Sequence, residues 1–382
     1  MQLCTIGVWD DTIPGITFDE KGVSNFCRLQ QQMMDIYPKG EHGQIQWERW
    51  VAEMKKNGLG RRYDCIVGVS GGVDSSYLLH LTKEYGLRPL AVNLDNGFNS
   101  ETAVQNIYKV TKALDIDLET YVINYEEIKE LLRAYVKAGL PWIDCPTDLA
   151  IKGVMYKIAR QEKIKYIVRG NDFRSEGKQP KEWTYGDNRQ LMYVYQTFGS
   201  GKRLRTFPSL TLSNQITNGL VRSIKDIRPY YFLPYDKQAA KAFLQQRYNW
   251  KDYGGHHHEN LFTKFAMAYW LPKKFGIDKR KISLSAQILS GAITRDEALE
   301  MLLQPFAAEQ ELLELRTYVL KKLDISENEF EKVWSGPNQS IFDLPSNYKL
   351  IFALAETFQP LLKRFFAFTP TSLTAQKVLN RQ

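Results

Sequence analysis

From Arg61 onward, short unbroken apolar runs alternate with longer stretches of helical periodicity. Cys65-Ile66-Val67-Gly68-Val69 is one such run, the mark of a strand buried on both faces. A second predicted strand covers Leu87 to Asp95 and ends in Asp95-Asn96-Gly97. Glu119 to Ile123 and Lys165 to Arg169 are the third and fourth, the last ending at Gly170-Asn171-Asp172. Glu101–Leu114, Ile128–Ala138 and Asp148–Gln161 carry the spacing of helices. This β-α alternation predicts an α/β fold with a Rossmann-like parallel sheet and helices on both faces. Ligands in such sheets sit beyond the carboxyl ends of the strands, at the switch point. The polar clusters 70–76, 95–97 and 170–172 all fall at strand ends, so one sheet edge is expected to gather them.

Outside the alternation, residues 1–60 read as an N-terminal lead-in. Asp19-Glu20-Lys21-Gly22 predicts a turn. Trp47–Lys56 predicts a helix with Trp47, Trp50, Val51 and Met54 on one face, stopped by Gly58 and Gly60. Residues 61–255 form the expected nucleotide-binding domain. Within it, 173–235 is irregular and rich in Gly, Lys, Arg and aromatics, the composition of a lid or substrate loop, and Tyr235–Tyr248 is helical. Residues 256–382 form a mainly helical C-terminal region. Thr294-Arg295-Asp296-Glu297 and Ser326-Glu327-Asn328-Glu329 fit capping boxes. The tail Leu361–Phe366 reads as a helix end packing into the core.

Composition narrows the class. A hydrophobic content of 43% and a charged content of 25% are ordinary for a globular protein. No run reaches the roughly 18–20 apolar residues of a membrane span. Met1-Gln2-Leu3-Cys4-Thr5 lacks the basic and apolar regions of a signal peptide. Four scattered cysteines make no disulfide framework. The expected location is cytoplasmic. The net charge of +8 comes without a long Lys/Arg block, so nucleic acid is not the expected partner.

The candidate chemistry centres on Ser70-Gly71-Gly72-Val73-Asp74-Ser75-Ser76, between the first strand and a helical run. Adjacent glycines let the backbone approach an oxyanion. The free N–H groups of the next helix point to the same place. Ser70, Ser75 and Ser76 add hydroxyl donors, and Asp74 offers a carboxylate for Mg²⁺. The string lacks the lysine of the Walker A loop. It resembles the PP-loop, SGGxDS, of the ATP pyrophosphatase superfamily, which splits ATP into AMP and pyrophosphate. Asp95, Asn96, Gly170 and Asn171 are the further candidates for nucleotide contact, although Asp-Asn-Gly also suits a plain turn.

Three other clusters stand out. Gly254-Gly255-His256-His257-His258-Glu259 combines imidazoles with a carboxylate. Consecutive helical residues diverge by about 100°, so a base or substrate role for one histidine is favoured over a shared metal. Lys273-Lys274-Phe275-Gly276-Ile277-Asp278-Lys279-Arg280 is a basic turn, either a solvated loop or a clamp for an anionic substrate. Cys4 and Cys27 lack CxxC partners, so zinc is not expected.

The chain resembles the N-acetyl sugar amidotransferase family of bacterial surface-polysaccharide and nonulosonic-sugar pathways. The resemblance rests on Pro14-Gly15-Ile16-Thr17-Phe18-Asp19, the loop at 70–76, Tyr253-Gly254-Gly255 to His257-His258-Glu259, Leu271 to Arg280, and Ile288 to Ala298. Many relatives carry two CxxC pairs near the N-terminus; Gly7 and Ser24 stand in place of one Cys of each. The resemblance implies a PP-loop (adenine nucleotide alpha hydrolase-like) fold and an ATP- and Mg²⁺-dependent reaction. An acetamido group of a nucleotide-linked sugar is adenylated, and ammonia replaces its oxygen to give an acetamidino group, with AMP and pyrophosphate released. Asp74, His257 and Glu259 are the expected catalytic residues, and Lys273, Lys274 and Arg280 the expected substrate contacts. No glutaminase apparatus is legible, so a separate glutaminase subunit is the expected source of ammonia. The alternative is a PP-loop tRNA thiolase with Cys145, between Asp144 and Asp148, as its reactive thiol.

Overall fold

The computed structural model describes residues 2–254, 258–351 and 353. Its centre is a five-stranded sheet in the order β3-β2-β1-β4-β5. The strands are β1 (Cys65–Gly68), β2 (Pro89–Asp95), β3 (Leu118–Val122), β4 (Tyr166–Val168) and β5 (Lys225–Ile227). Every pairing is parallel. The period-two pleat divides β1 between two cores. Cys65, Val67 and Val69 join Trp47, Leu78, Ile107 and Leu244 on one face. Ile66 joins Val92, Met155, Ile158 and Ile167 on the other. The first core is covered by α2 (Glu41–Asn57), α3 (Val73–Glu84), α4 (Glu101–Ala113) and the helix Lys237–Tyr248. The second is covered by α6 (Cys145–Gln161). The parallel sheet with helices on both faces is the fold class the sequence predicts.

Three elements differ from expectation. A helix, α1 (Asn25–Ile36), follows the predicted turn, capped by the Ser24 hydroxyl accepting from the Cys27 amide. The strand β5 lies inside the stretch expected to be irregular and spans three residues, too short for its pattern to register. Helix α6 starts at Cys145 rather than Asp148, taking Pro146 into its first turn. An N–H there would have no helical partner, so proline costs nothing.

In the C-terminal region the helices Arg295–Leu303 and Glu327–Ser335 both begin with the predicted capping boxes. The second belongs to a third core in which Phe98 and Leu131, the latter on helix α5 (Tyr125–Lys137), pack with Trp270, Leu320 and Phe330, whereas the first packs Ala298 against Val8 and Leu284. The N-terminal segment packs on the same region: Cys4, Trp9, Ile13 and Phe26 surround Ile282 of the helix Arg280–Leu289. The Val8 amide donates to Ser285 Oγ at 2.8 Å, and Lys281 pairs with the buried Asp10. Among the described residues no helix is long and apolar enough to cross a membrane. The tail motif at 361–366 lies outside the described residues.

Candidate active site

The sheet order places its switch point between β1 and β4, and the loop 70–76 leaves β1 there. Gly71 has φ +82°, and a Cβ on it would lie 2.3 Å from the Ala103 carbonyl oxygen. Only glycine fits. A Cβ on Gly72 would meet only side-chain ends: Tyr253 Oη at 3.0 Å, Ser70 Oγ at 3.2 Å and Glu259 Oε1 at 3.4 Å. Ser75 Oγ accepts from the Ser70 amide at 3.2 Å, which folds the loop over the start of α3. Gly72 is the N-cap of α3 and brings no side-chain acceptor to the helix's first amides. Tyr253 accepts from the Val73 amide, and the helix start otherwise lacks a side-chain cap, the setting in which an anion binds.

A cavity of about 660 Å³ opens on this loop. Ser70, Gly72, Asp74 and Ser75 line it together with Asn96, Gly170, Asn171 and Glu259. The segment bearing Glu259 is tied to the end of β2. Asn260 Nδ2 donates to Asn96 Oδ1 at 2.9 Å and to Asn99 Oδ1 at 3.2 Å, and the Ser100 amide donates to the Glu259 carbonyl at 2.8 Å. Asn260 Oδ1 also accepts from the amides of Phe262 and Thr263, capping the helix Leu261–Phe265. This double use of one asparagine brings Glu259 Oε1 to 3.3 Å from Ser70 Oγ.

The structure does not bring all the predicted residues to the cavity. Lys273 pairs with Glu309 at 2.5 Å, and Lys274 donates to the carbonyls of Trp334 at 3.0 Å and Gly336 at 3.1 Å. The reason is local: Ala266–Phe275 is a π-helix, whose wider turn sends both lysines to the C-terminal layer. Arg280 does line the cavity, but its guanidinium bonds the Asp278 carboxylate and the carbonyls of Met301, Leu302 and Gln304. It anchors the end of the helix Arg295–Leu303. Asp95 accepts from the Gly97 amide at 2.8 Å, as a turn residue, and does not line the cavity. Gly71 and Ser76 shape the loop from behind, Ser76 being buried. His257 lies outside the described residues, whereas His258 lines the cavity.

Asp74 is held in a way the sequence did not announce. Its carboxylate accepts from Tyr235 Oη and pairs with Lys237 Nζ at 2.9 Å, and its carbonyl accepts from Tyr230 Oη at 2.8 Å. Burial opposes the Lys237 charge, but the Asp74 carboxylate outweighs it and holds the ammonium above the usual lysine range. A cation on Asp74 would have to share oxygens with that ammonium, so Mg²⁺ does not fit Asp74 while the Lys237 pair is made.

Sequence reasoning also missed the wall opposite the loop. Lys279 Nζ lies 4.1 Å from the Trp142 ring centroid, and Trp142 Nε1 donates to Asp148 Oδ2 at 2.7 Å. Burial lowers Lys279 to about 8, with Asp148, Glu176 and Asp144 pulling the other way. The signal was present, since Lys279 lies in the basic turn, but nothing in the sequence separated it from Lys273 and Lys274. Cys145 is buried and does not line the cavity, and burial pushes its thiol up to about 12. A reactive cysteine has the opposite properties.

Residues 259–356 match the family model described as LPS biosynthesis protein WbpG-like, C-terminal domain. This match spans 98 of the chain's 382 residues. Its first residue, Glu259, is the one that meets the serine–glycine loop. The surface-polysaccharide resemblance of the sequence thus has a counterpart in this domain. Over 144 residues the chain is 30% identical to the uncharacterized protein MJ1599 of Methanocaldococcus jannaschii, a match over 37% of this chain. The chain spans 49% of the length of that relative. Among solved structures it is similar to an NMN synthetase from Francisella tularensis, with 15% identity, a TM-score of 0.28, and 66% of this chain and 94% of that one covered. It is also similar to the NH3-dependent NAD synthetase from Campylobacter jejuni, at 13%, 0.30, and 82% and 98%. A third similarity is to the U34-tRNA thiolase NcsA from Methanococcus maripaludis, at 13%, 0.33, and 80% and 90%.

Proposed function

We propose that the protein is an ATP-dependent amidotransferase that converts the acetamido group of a sugar into an acetamidino group. The observation that carries this reading is the 3.3 Å approach of Glu259, the first residue of the WbpG-like domain, to Ser70 of the anion loop. A polysaccharide-biosynthesis domain and a phosphate cradle share one cavity.

The cradle fits the phosphates of ATP. Gly72 leaves the space that a side chain would fill, and the Ser70 and Ser75 hydroxyls and the start of α3 face an incoming anion. Asp74 holds Lys237 beside this cradle, where its ammonium adds positive charge. When bound, ATP supplies the adenylyl group that makes the amide oxygen a leaving group. Glu259 is the carboxylate placed to take a proton from ammonia, with His258 and His257 on the same segment. The nitrogen would come from free ammonia or a glutaminase subunit.

The test is pyrophosphate release from ATP with ammonium and either acetamido nucleotide-sugars or unmodified tRNA. We expect release with an acetamido sugar and an amidino product by mass spectrometry. Release that requires tRNA, together with loss of turnover in a folded Cys145→Ser variant, would replace this reading with thiolation.

A further inference from the structure

The pole of the molecule opposite the cavity, at the amino ends of the strands, carries a patch that the proposed reaction does not use. The helical turns Leu212–Ile216 and Thr217–Val221 run one into the other just before β5. Asn218 is buried beneath them, whereas Ile216, Leu220 and Val221 are 45%, 51% and 77% exposed. Leu220 and Val221 lie one turn beyond Ile216, so the three share a face. A further aliphatic tip stands on the same pole. Leu59, in the turn between α2 and β1, is 77% exposed. The Arg61 guanidinium that follows it bonds the Lys163 carbonyl, just past the end of α6.

A basic frame joins the two apolar spots. Arg222 follows Val221 directly and is exposed, as is Lys163. Burial and the nearby Arg222 both press the Arg160 guanidinium, in the last turn of α6, below its ordinary range. Like charges held this close gain from an anionic partner. Of the acids beside them, Asp117 pairs with Arg62 at 3.0 Å, and Glu162 lies between Arg160 and Lys163 in the chain. None of these residues lines the cavity. A nucleic acid seeks aromatic rings to stack on, and a protein partner seeks pockets for its anchor residues. Aliphatic tips set among cations suit a surface that is apolar a short way beneath anionic headgroups.

We propose that this pole docks on an anionic phospholipid bilayer, with Leu59, Leu220 and Val221 entering the headgroup layer and Arg61, Lys163 and Arg222 meeting the lipid phosphates. Docking by this pole turns the cavity, at the carboxyl ends of the strands, away from the lipid. The inference is independent of the acetamidino reaction.

Cosedimentation of the full chain with vesicles tests it. Vesicles of phosphatidylglycerol mixed with phosphatidylethanolamine should carry the chain down, and those of phosphatidylcholine alone should not. Arg222→Gln and Lys163→Gln should each weaken binding by roughly fivefold, the scale of one cation near an anionic surface. Leu220→Ser combined with Val221→Ser should weaken it by roughly ten- to a hundredfold, the scale of losing inserted aliphatic groups. These positions are exposed, so the melting temperature should hold. Insertion is read separately. The native cysteines are buried, so a polarity-sensitive maleimide dye can be placed on Val221→Cys or Leu303→Cys alone. Leu303 is 84% exposed but precedes the cavity-lining Pro305 and Phe306. With anionic vesicles the dye at 221 should shift to the blue and the dye at 303 should not. The proposal is overturned if the chain ignores anionic vesicles, if the double serine variant binds them as the unaltered chain does, or if only the dye at 303 shifts. Poly(U) binding that Arg222→Gln abolishes, without vesicle binding, would instead make the patch a nucleic-acid face. A doubled mass in light scattering that the double serine variant abolishes, again without vesicle binding, would assign it to a second copy of the chain.

Discussion

Gly71 and Gly72 are adjacent and chemically identical, yet they answer to different constraints. Gly71 combines φ +82° with a Cβ position 2.3 Å from a backbone carbonyl that cannot step aside. Gly71→Ala should therefore destabilise the fold by at least the roughly 1–3 kcal/mol of a forced left-handed residue. Gly72 has ordinary backbone angles, and its Cβ would touch only side-chain ends. Gly72→Ala should melt near the unaltered protein but lose affinity for an ATP analogue. Thermal melts and nucleotide titration on both variants separate the two. Asp172 offers a test by pH. Burial raises its carboxyl to about 6, outweighing the Arg174 amide that it accepts from. An unfolded aspartate titrates near 4, so between about pH 4 and 6 the folded chain holds more protons. Stability from this group therefore falls as pH rises through that window. Asp172→Asn should gain on the unaltered protein by up to about 2–3 kcal/mol between pH 4 and 7. An equal difference at both pH values in urea melts would deny the shift.

At the scale of elements, Asn260 is both the cap of the helix Leu261–Phe265 and the clamp on the end of β2. Asn260→Ala should cost about 0.5–2 kcal/mol through the lost cap. It should also free Glu259 from Ser70, so the turnover number should fall more than the affinity for ATP. Steady-state kinetics with ATP varied will show which falls. The strands β1, β2 and β4 were legible because buried parallel strands make unbroken apolar runs, and the loop because its glycines and serines follow one. Both capping boxes were legible because their chemistry is local. What escaped was what the local pattern does not encode. Lys237 meets Asp74 across 163 positions. The π-helical turn at Ala266–Phe275 redirects Lys273 and Lys274 without changing their spacing in the chain. Arg280 looks like a substrate clamp in sequence, and only the nearby carbonyls of Met301, Leu302 and Gln304 reveal an anchor.

For the molecule as a whole, the N-terminal segment meets the C-terminal region through the pair of the buried Asp10 and Lys281. Burial opposes the Asp10 charge, but Lys281 and Thr12 hold its carboxyl below the usual range. The pair therefore contributes above the unfolded aspartate's pKa, near 4, and its contribution fades as pH falls. Asp10→Asn should cost at most about 3–5 kcal/mol at neutral pH, the scale for breaking a buried pair, and less in acid. Chemical denaturation at pH 4 and 7 will show whether the two curves converge.

The same closure governs how the protein comes into being. Ser70 waits 189 positions for Glu259, and Val8 waits 277 for Ser285. Sheet strands up to Ile227 can pair while the chain is still emerging from the ribosome, since domains generally fold from the N-terminus as they are made. The cavity cannot close until Pro305 and Phe306, which line it, have emerged. A nascent chain of this protein would present an open glycine loop without its opposite wall, and the cavity would form only after that point.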